Sequence, residues 1–416
     1  MHDRKSGPST KEEEIRLPEE YLFADLKVLD VGSWIAAPVA ATMLADFGAQ
    51  VTKIEIPGSG DPYRLYAASP GAPDSEVNYA WQMDARNKRS LSLNLKSAEG
   101  RAILLKLVAD CDVYITNHSP KMREDWGLGY EALHQLNPRL IYASLTAYGE
   151  QGPERNREGF DLVAYWSRSG LMDLVRGPGS APAAALPGMG DHPTAVSMYA
   201  GIVTALLRRG KTGEGSYVHT SLLANGIWSA SCVAQGSFTG ATFGRYRHDM
   251  GQMYSRCPYE AQDGRWLQFT MVRTQEEMDL MFAVLGMPEV LLDERFAEPE
   301  ARLKNGAVLV ELIRPVLLSR DSKEWMIDFQ ALGVPVALVG EVERLTDDVQ
   351  VTSNKILLDG ADTGMPKVIK HPVNIDGLPC PEVQRAPDVG EHGYQVLTEL
   401  GYSKQEIEAF IAKKVI

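Results

Sequence analysis

Two periods of apolar residues alternate through the first half of the chain. Leu26-Lys27-Val28-Leu29-Asp30-Val31 is a mostly apolar run of strand length, closed by Gly32. Residues 36–47 then place small apolar side chains at helical spacing and stop at Gly48, ahead of a second strand-like run, Val51-Thr52-Lys53-Ile54-Glu55. The same reading predicts strands over 90–95, 113–117 and 140–145, with a helix over 98–109. Strands that alternate with helices imply a largely parallel sheet, so the fold class is α/β.

The pattern changes at Leu171. From there to Gly190 the chain is rich in Gly, Pro and Ala and has no period, which predicts a long loop. Such a loop inside a compact domain is usually functional. Asp191 ends it, and residues 194–209 predict a strong helix that closes at Gly210 or Gly213. Residues 222–240 continue helically. Asp263-Gly264 reads as a hairpin turn before a strand over 266–270, and helices dominate 276–332. The tail, 371–416, predicts one more strand-like piece and a helical end over 404–413.

Composition narrows the function classes. A chain of 416 residues is expected to form two domains. No apolar run is long enough to cross a bilayer, so no membrane partner is expected. Residues 1–22 are charged, lack the apolar stretch of a secretory signal and read as an exposed arm. Cys111, Cys232, Cys257 and Cys380 show no paired spacing, which suggests neither a metal site nor disulfides and fits a reducing, cytoplasmic setting. The net charge of −13 argues against nucleic acid. It also means that any polyanionic ligand must be met by local basic residues and backbone amides.

The opening strand, Gly32, helix, strand and Glu55 resemble a dinucleotide-binding unit, with the acidic residue at about the expected 20 residues. The glycines do not fit. Gly32-Ser33-Trp34-Ile35-Ala36-Ala37 keeps only the first of three, and Trp34 and Ile35 stand where the backbone must approach a pyrophosphate. A βαβ unit without nicotinamide is the better reading; NAD binding would revive a dehydrogenase.

More specific is a series of short blocks. Lys27-Val28-Leu29-Asp30, Ala36-Ala37-Pro38, Leu44-Ala45-Asp46-Phe47-Gly48-Ala49, Lys53-Ile54-Glu55 and Gly58-Ser59-Gly60-Asp61 are followed by Asn87-Lys88-Arg89-Ser90-Leu91, Lys96-Ser97-Ala98-Glu99-Gly100 and Leu136-Asn137-Pro138-Arg139. Tyr148-Gly149, Gly159-Phe160-Asp161, Lys211-Thr212-Gly213-Glu214-Gly215 and Gly390-Glu391-His392 complete the order. From residue 23 onward the chain resembles the class III coenzyme A transferases, the CaiB/BaiF-like family. Trp166-Ser167-Arg168-Ser169-Gly170 and Pro187-Gly188-Met189-Gly190-Asp191-His192 look most like the members that act on aryl- or alkyl-lactates.

On spacing alone Asp191 reads as a helix N-cap, because Asp before a helix with Pro in its first turn is a common structural pattern. The resemblance reverses that order. It places the family's catalytic aspartate on Gly190-Asp191 and implies transfer of CoA from an acyl-CoA donor to a small carboxylic acid through an aspartyl anhydride and an aspartyl-CoA thioester. Asp61, Asp161 and Asp173 are rival carboxylates. The resemblance also puts CoA against Ile35, Ala36, Leu93, Asn94, Leu95, Lys96, Asn117, His118, Ser119, Arg157 and Phe160, with Arg123 a candidate for phosphate. On the residues themselves, Leu93 and Leu95 read equally as strand core, and His118 and His192 as polar residues without catalytic duty. Gly251-Gln252 falls where the family has a mobile glycine loop.

The fold that follows is a Rossmann-like large domain, 23–225 with 345–416, that binds CoA. Residues 226–344 form linkers and a smaller α+β domain. The family's interlocked homodimer is expected too. Two alternatives share this fold: an acyl-CoA racemase or isomerase, and a non-catalytic CoA-binding subunit of a heteromeric transferase. The racemase pairs its aspartate with a Gly-His-Asp histidine, and this chain has Phe160 there.

Overall fold

The computed structural model describes residues 21–177, 179–243, 253–270, 272 and 274–416. They divide into two compact units. One runs to Ser169 and adds Ala185–Ser229 and Lys355–Ile416; the other comprises Gly170–Ala184 and Ala230–Asn354.

The first unit is built on β1 (Lys27–Val31), β2 (Gln50–Glu55), β3 (Arg89–Ser92), β4 (Val113–Thr116), β5 (Ile141–Thr146) and β6 (Ser216–Ser221), which lie in the order β3-β2-β1-β4-β5-β6. Every neighbouring pair is parallel. β4 and β5 are buried along their whole length, as near-continuous apolar runs covered on both faces should be. β6 had no signal in the apolar pattern: its residues are mostly half-buried and alternate little, because it is an edge strand.

α1 (Ala36–Ala45) follows β1, and all ten of its residues are buried. Its alanines let it pack closely on the long helix Asp191–Thr212. That helix begins at Asp191, three residues before the predicted start. His192 and Pro193 fit its first turn because the first N–H groups of a helix have no intrahelical partner to lose. It runs back to the sheet and feeds β6, so its N-terminus lies at the carboxyl edge of the strands. There the strand order reverses between β1 and β4, which opens the crevice that α/β sheets use for ligands.

The tail closes the opposite sheet edge. Leu357–Asp359 pairs antiparallel with Lys367–Ile369. The strand predicted after His371 is not found among the described residues. Instead the backbone N–H of His392 donates to Ser90 O (2.9 Å) and that of Asn94 to Val415 O (2.8 Å). Val396, Leu397, Ile407 and Val415 join Leu91 and Leu93 in one core. Covering β3 in this way removes an exposed strand edge.

Under the β1–α1 turn lies a buried charge cluster. Lys53 Nζ sits 2.8 Å from Asp61 Oδ2 and 3.6 Å from Asp30 Oδ2, and donates to Gly32 O at 3.0 Å. Lys88 Nζ reaches Asp30 Oδ2 (2.9 Å) and Pro38 O (2.7 Å). Arg64 grips Glu55 with two nitrogens, at 2.8 and 2.7 Å, and Glu55 also accepts from Ser90 Oγ and Asp61 N. Burial opposes the charge on Asp30, yet Lys53 and Lys88 outweigh it and hold the carboxyl below its ordinary value.

In the second unit, Pro258–Glu260, Trp266–Phe269 and Val336–Leu338 form a three-stranded antiparallel sheet. The turn at Asp263-Gly264 has Gly264 at φ 76°. Tyr259, Leu267, Phe269, Phe282, Leu309 and Phe329 pack its core.

Lys53→Met should cost on the order of 3–5 kcal/mol in denaturant unfolding, because it leaves the buried Asp61 without a cation and Asp30 with Lys88 alone. An unchanged unfolding curve would show that the cluster is not a source of stability.

Candidate active site

The turn that follows β1 is held from two sides. Asn117, at the end of β4, clasps Ser33: its Oδ1 accepts from Ser33 N (3.0 Å) and its Nδ2 donates to Ser33 O (2.8 Å). Asp61 Oδ1 accepts from Trp34 N (3.1 Å) and Tyr63 N (2.9 Å). Trp34 is thereby kept at φ 68°, a conformation that bulky residues rarely adopt. Its ring meets Phe160 edge-on at 4.9 Å.

Beside this turn is a cleft of about 510 Å³. Of the residues proposed from sequence, Ile35, Ala36, Asn117, His118, Ser119, Arg157, Phe160 and Asp191 line it. Asn117 has both amide groups engaged by Ser33, so its part is to hold the turn. Ser119 caps the helix Pro120–Trp126. His118 is pushed down to about 4 by burial, then by Arg123 and Lys53, and stays neutral. Its Nδ1 has no partner among the described residues.

Five of the expected residues lie elsewhere. Leu93 is core, Leu95 packs against the same core, and Asn94 is bound by the tail. With Lys96 they follow β3, two strands away from the switch point. Arg123 is buried under the sheet end, 2.6 Å from Glu150 and in reach of the Tyr142 and Tyr217 hydroxyls. It therefore does not face the cleft. Arg155, which lines the cleft beside Arg157, was not singled out from sequence. Gly251-Gln252 lies outside the described residues.

Asp191 is the first residue of its helix, and Gly190 occupies the cap position. The capping role that spacing suggested is therefore not the one observed: the side chain makes no cap bond. Asp191 is only 9% exposed. Burial first, then the neighbouring carboxylates Asp161 and Asp84, push it up to about 7 against the pull of His192. The rival carboxylates are engaged. Asp161 accepts from Leu162 N (2.7 Å) and Gly190 N (3.0 Å), and so fixes the residue before Asp191. Asp61 is held by Lys53. Asp173 belongs to the second unit, where Arg176 pairs with it. Gly190 has no room for a side chain, since a Cβ there would meet Tyr165 Cγ at 2.6 Å and Asp161 Cβ at 2.9 Å.

His192 is the main residue that spacing undervalued. Its ring bridges Gly188 O (3.0 Å) and Asp84 Oδ1 (3.2 Å). The only sequence signal was its place next to Asp191.

A doubly wound parallel sheet with a buried carboxylate at a helix start beside the switch point defines an α/β enzyme with a candidate nucleophile in its ligand crevice. The CoA-transferase family III profile matches residues 23–393, and the chain belongs to that family of CoA-transferases. It is 31% identical to the (R)-2-hydroxy-4-methylpentanoate CoA-transferase of Clostridioides difficile, over 95% of this chain and 99% of that one. It is 32% identical to the cinnamoyl-CoA:phenyllactate CoA-transferase of Clostridium sporogenes, over 93% and 95% of the two chains. Among solved structures, a CAIB/BAIF family protein from Brucella suis matches with a TM-score of 0.79 at 26% identity, over 90% of this chain and 98% of that one. Among the described residues, no helix is long and apolar enough to cross a membrane.

The Asp191 shift predicts a stability effect with a definite sign. Its folded value lies above the ordinary carboxylate value, so the protein loses stability relative to Asp191→Asn as pH rises from about 4 through about 7. Thermal unfolding at pH 5 and 8.5 should show the variant gaining on the parent at the higher pH, by about 3 kcal/mol, from the roughly two pH units between pH 5 and the folded value near 7. Equal gaps at both pH values would contradict the shift.

Proposed function

We propose that this CoA-transferase works through covalent intermediates on Asp191, the one buried carboxylate of the cleft that no donor of the described residues satisfies. An Asp191 oxygen attacks the thioester carbon of the donor acyl-CoA. The C–S bond breaks, CoA leaves as the thiolate, and an acyl-aspartyl anhydride remains. The thiolate attacks the Asp191 carbonyl and expels the donor acid, which gives an aspartyl-CoA thioester. The acceptor carboxylate attacks the carbonyl of that thioester, its C–S bond breaks, and an aspartyl–acceptor anhydride and CoA thiolate result. The thiolate then attacks the acceptor carbonyl, breaks its C–O bond to Asp191 and leaves the new acyl-CoA and the free Asp191 carboxylate. The helix N-terminus favours the ionised nucleophile by roughly 0.3–1 kcal/mol.

We assign CoA to the first unit, beside His118 and the arginines Arg155 and Arg157, whose pairs with Glu124 and Glu154 are solvent-exposed, unlike the buried Arg123–Glu150 pair. Trp34, Phe160 and Tyr66 give the cleft an aromatic wall. Together with the substrates in the relatives' names, that wall favours acids with branched or aromatic side chains, of the 2-hydroxy type or their enoyl counterparts. The working form is an interlocked homodimer in the cytoplasm. A buried Asp191 in the cleft speaks against a non-catalytic subunit. An apolar Phe160 speaks against a racemase, which needs proton carriers on both faces of the α-carbon.

Incubation with a suitable acyl-CoA should leave a hydroxylamine-labile adduct on the Asp191 peptide, and Asp191→Ala should bind CoA without turnover. Substantial turnover by that variant would remove Asp191 from the mechanism. In the parent enzyme kcat/KM should fall about tenfold per pH unit below about 7, as Asp191 takes up its proton. No α-deuterium should enter a 2-methylacyl-CoA held with the enzyme in D₂O; exchange as fast as CoA transfer would promote the racemase. Light scattering should give twice the 45.8 kDa chain mass.

A further inference from the structure

We propose that His192, held as an imidazolium between Asp84 and the Gly188 carbonyl, is a positioning residue for Asp191: it locks the turn ahead of the nucleophile and fixes a positive charge beside it. This inference rests on the reading of Asp191 as the nucleophile.

The protonation state follows from the partners. His192 Nδ1 lies 3.0 Å from Gly188 O, and Nε2 lies 3.2 Å from Asp84 Oδ1. A carbonyl oxygen and a carboxylate oxygen can only accept, so both ring nitrogens must donate, and only the imidazolium does that. Burial disfavours this charge, but the bond to Asp84 overrides it and raises the ring to about 9.

Asp84 is itself fixed. It sits on α2 (Tyr79–Ala85), is 3% exposed, and its other oxygen accepts from the Tyr63 hydroxyl at 2.7 Å. Tyr63, Asp84 and His192 thus form a chain of hydrogen bonds that reaches the loop before Asp191. The His192 backbone N–H also donates to Gly188 O (3.1 Å), so ring and backbone hold the same carbonyl. Gly188 adopts φ 80°, and a Cβ there would stand 3.2 Å from the imidazole ring. The ring therefore packs against the turn that Asp161 holds from its other end, through Gly190.

The charged groups around the ring come from three elements: Asp84 on α2, Asp191 on the ring's own helix, and Asp161 beyond Asp191. Asp161 and Asp84 both resist ionisation of Asp191, and the imidazolium favours it. Neither ring nitrogen is free for a substrate proton, so the role is positional and electrostatic rather than acid–base.

The test compares pH profiles of kcat/KM for the full-length enzyme and three variants. His192→Gln keeps hydrogen-bonding groups but not the charge; its acid limb should move up from about 7 by roughly one pH unit, and any basic limb near 9 should vanish. Asp84→Asn should bring the basic limb down from about 9 towards the ordinary histidine value of roughly 6.5. His192→Lys keeps a charge without the two-way bond; it should retain the acid limb near 7 at a reduced rate. A residue that only supported the fold would change rates without moving limbs. Limbs unmoved in His192→Gln and Asp84→Asn, with a normal adduct on Asp191, would overturn the role of His192 alone. A parent enzyme that forms no hydroxylamine-labile adduct on Asp191 would instead overturn the nucleophile reading.

Discussion

The structure of the cleft depends on one buried lysine. Lys53 is fully enclosed, and an ion removed from water is expensive unless its surroundings replace the hydration. Here they do, with Asp61, Asp30 and the Gly32 carbonyl. Lys88 and Arg64 extend the same cluster to Pro38 and Pro387, so that three acids and three bases balance in the interior. Each member also ties down a different piece of chain. Asp61 reaches the Trp34 and Tyr63 amides, Glu55 the Asp61 amide, and Lys88 the first turn of α1. A backbone that keeps Trp34 at positive φ needs such over-determination, since strained conformers of this kind cost of order 1–3 kcal/mol. An apolar cluster of equal volume could match the stability. It could not hold these directed contacts.

A second set of contacts acts on Asp191 in the same manner. Asp161 orients it indirectly, by accepting from Gly190, and burdens it electrically, as a like charge nearby. His192 relieves part of that burden. The result is a carboxylate that is buried, close to two others and without donors of its own, which is the combination that moves a carboxyl furthest towards neutrality. Asp61 is comparably buried, yet it pairs with a lysine and accepts two amides. Burial therefore does not separate the proposed nucleophile from its rivals; the state of its hydrogen bonding does.

That distinction explains what could be read from sequence. The strands β1, β2, β4 and β5 and the helix α1 were legible because their apolar periods reflect burial directly. β6 was not, because half-buried edge residues such as Ser216 and Thr220 and the exposed His219 leave no apolar run. Asp191 was legible as a residue, through its place after Gly190, but its role there was open between cap and nucleophile. Asn117 and Arg123 show the limit most clearly. Sequence placed both near a ligand, and residue type supports that for each. In the fold, Asn117 uses its amide on Ser33, and Arg123 spends its charge on Glu150. Which polar groups are already satisfied depends on partners far along the chain, such as Ser33 for Asn117 and Val415 for Asn94, and no local pattern encodes them.

The raised Asp191 carboxyl also bears on how the intermediates of the proposed reaction partition. In the acyl-aspartyl anhydride, the CoA thiolate can attack either carbonyl. Attack on the acyl side expels Asp191 and returns the donor; attack on the aspartyl side expels the donor acid and advances the exchange. The better leaving group is the weaker base. A free carboxylic acid has a pKa of roughly 4, whereas Asp191 stands at about 7. Expulsion of the donor acid is therefore favoured, and the first anhydride partitions towards aspartyl-CoA. In the second anhydride, where Asp191 itself must leave, the same basicity opposes release, so aspartyl-CoA is the intermediate that accumulates. The same basicity makes Asp191 the stronger nucleophile in the first step, while a value near ambient pH leaves a large share of it ionised. A carboxylate satisfied by several amides, as Asp61 is, would gain in ionised fraction and lose on both other counts.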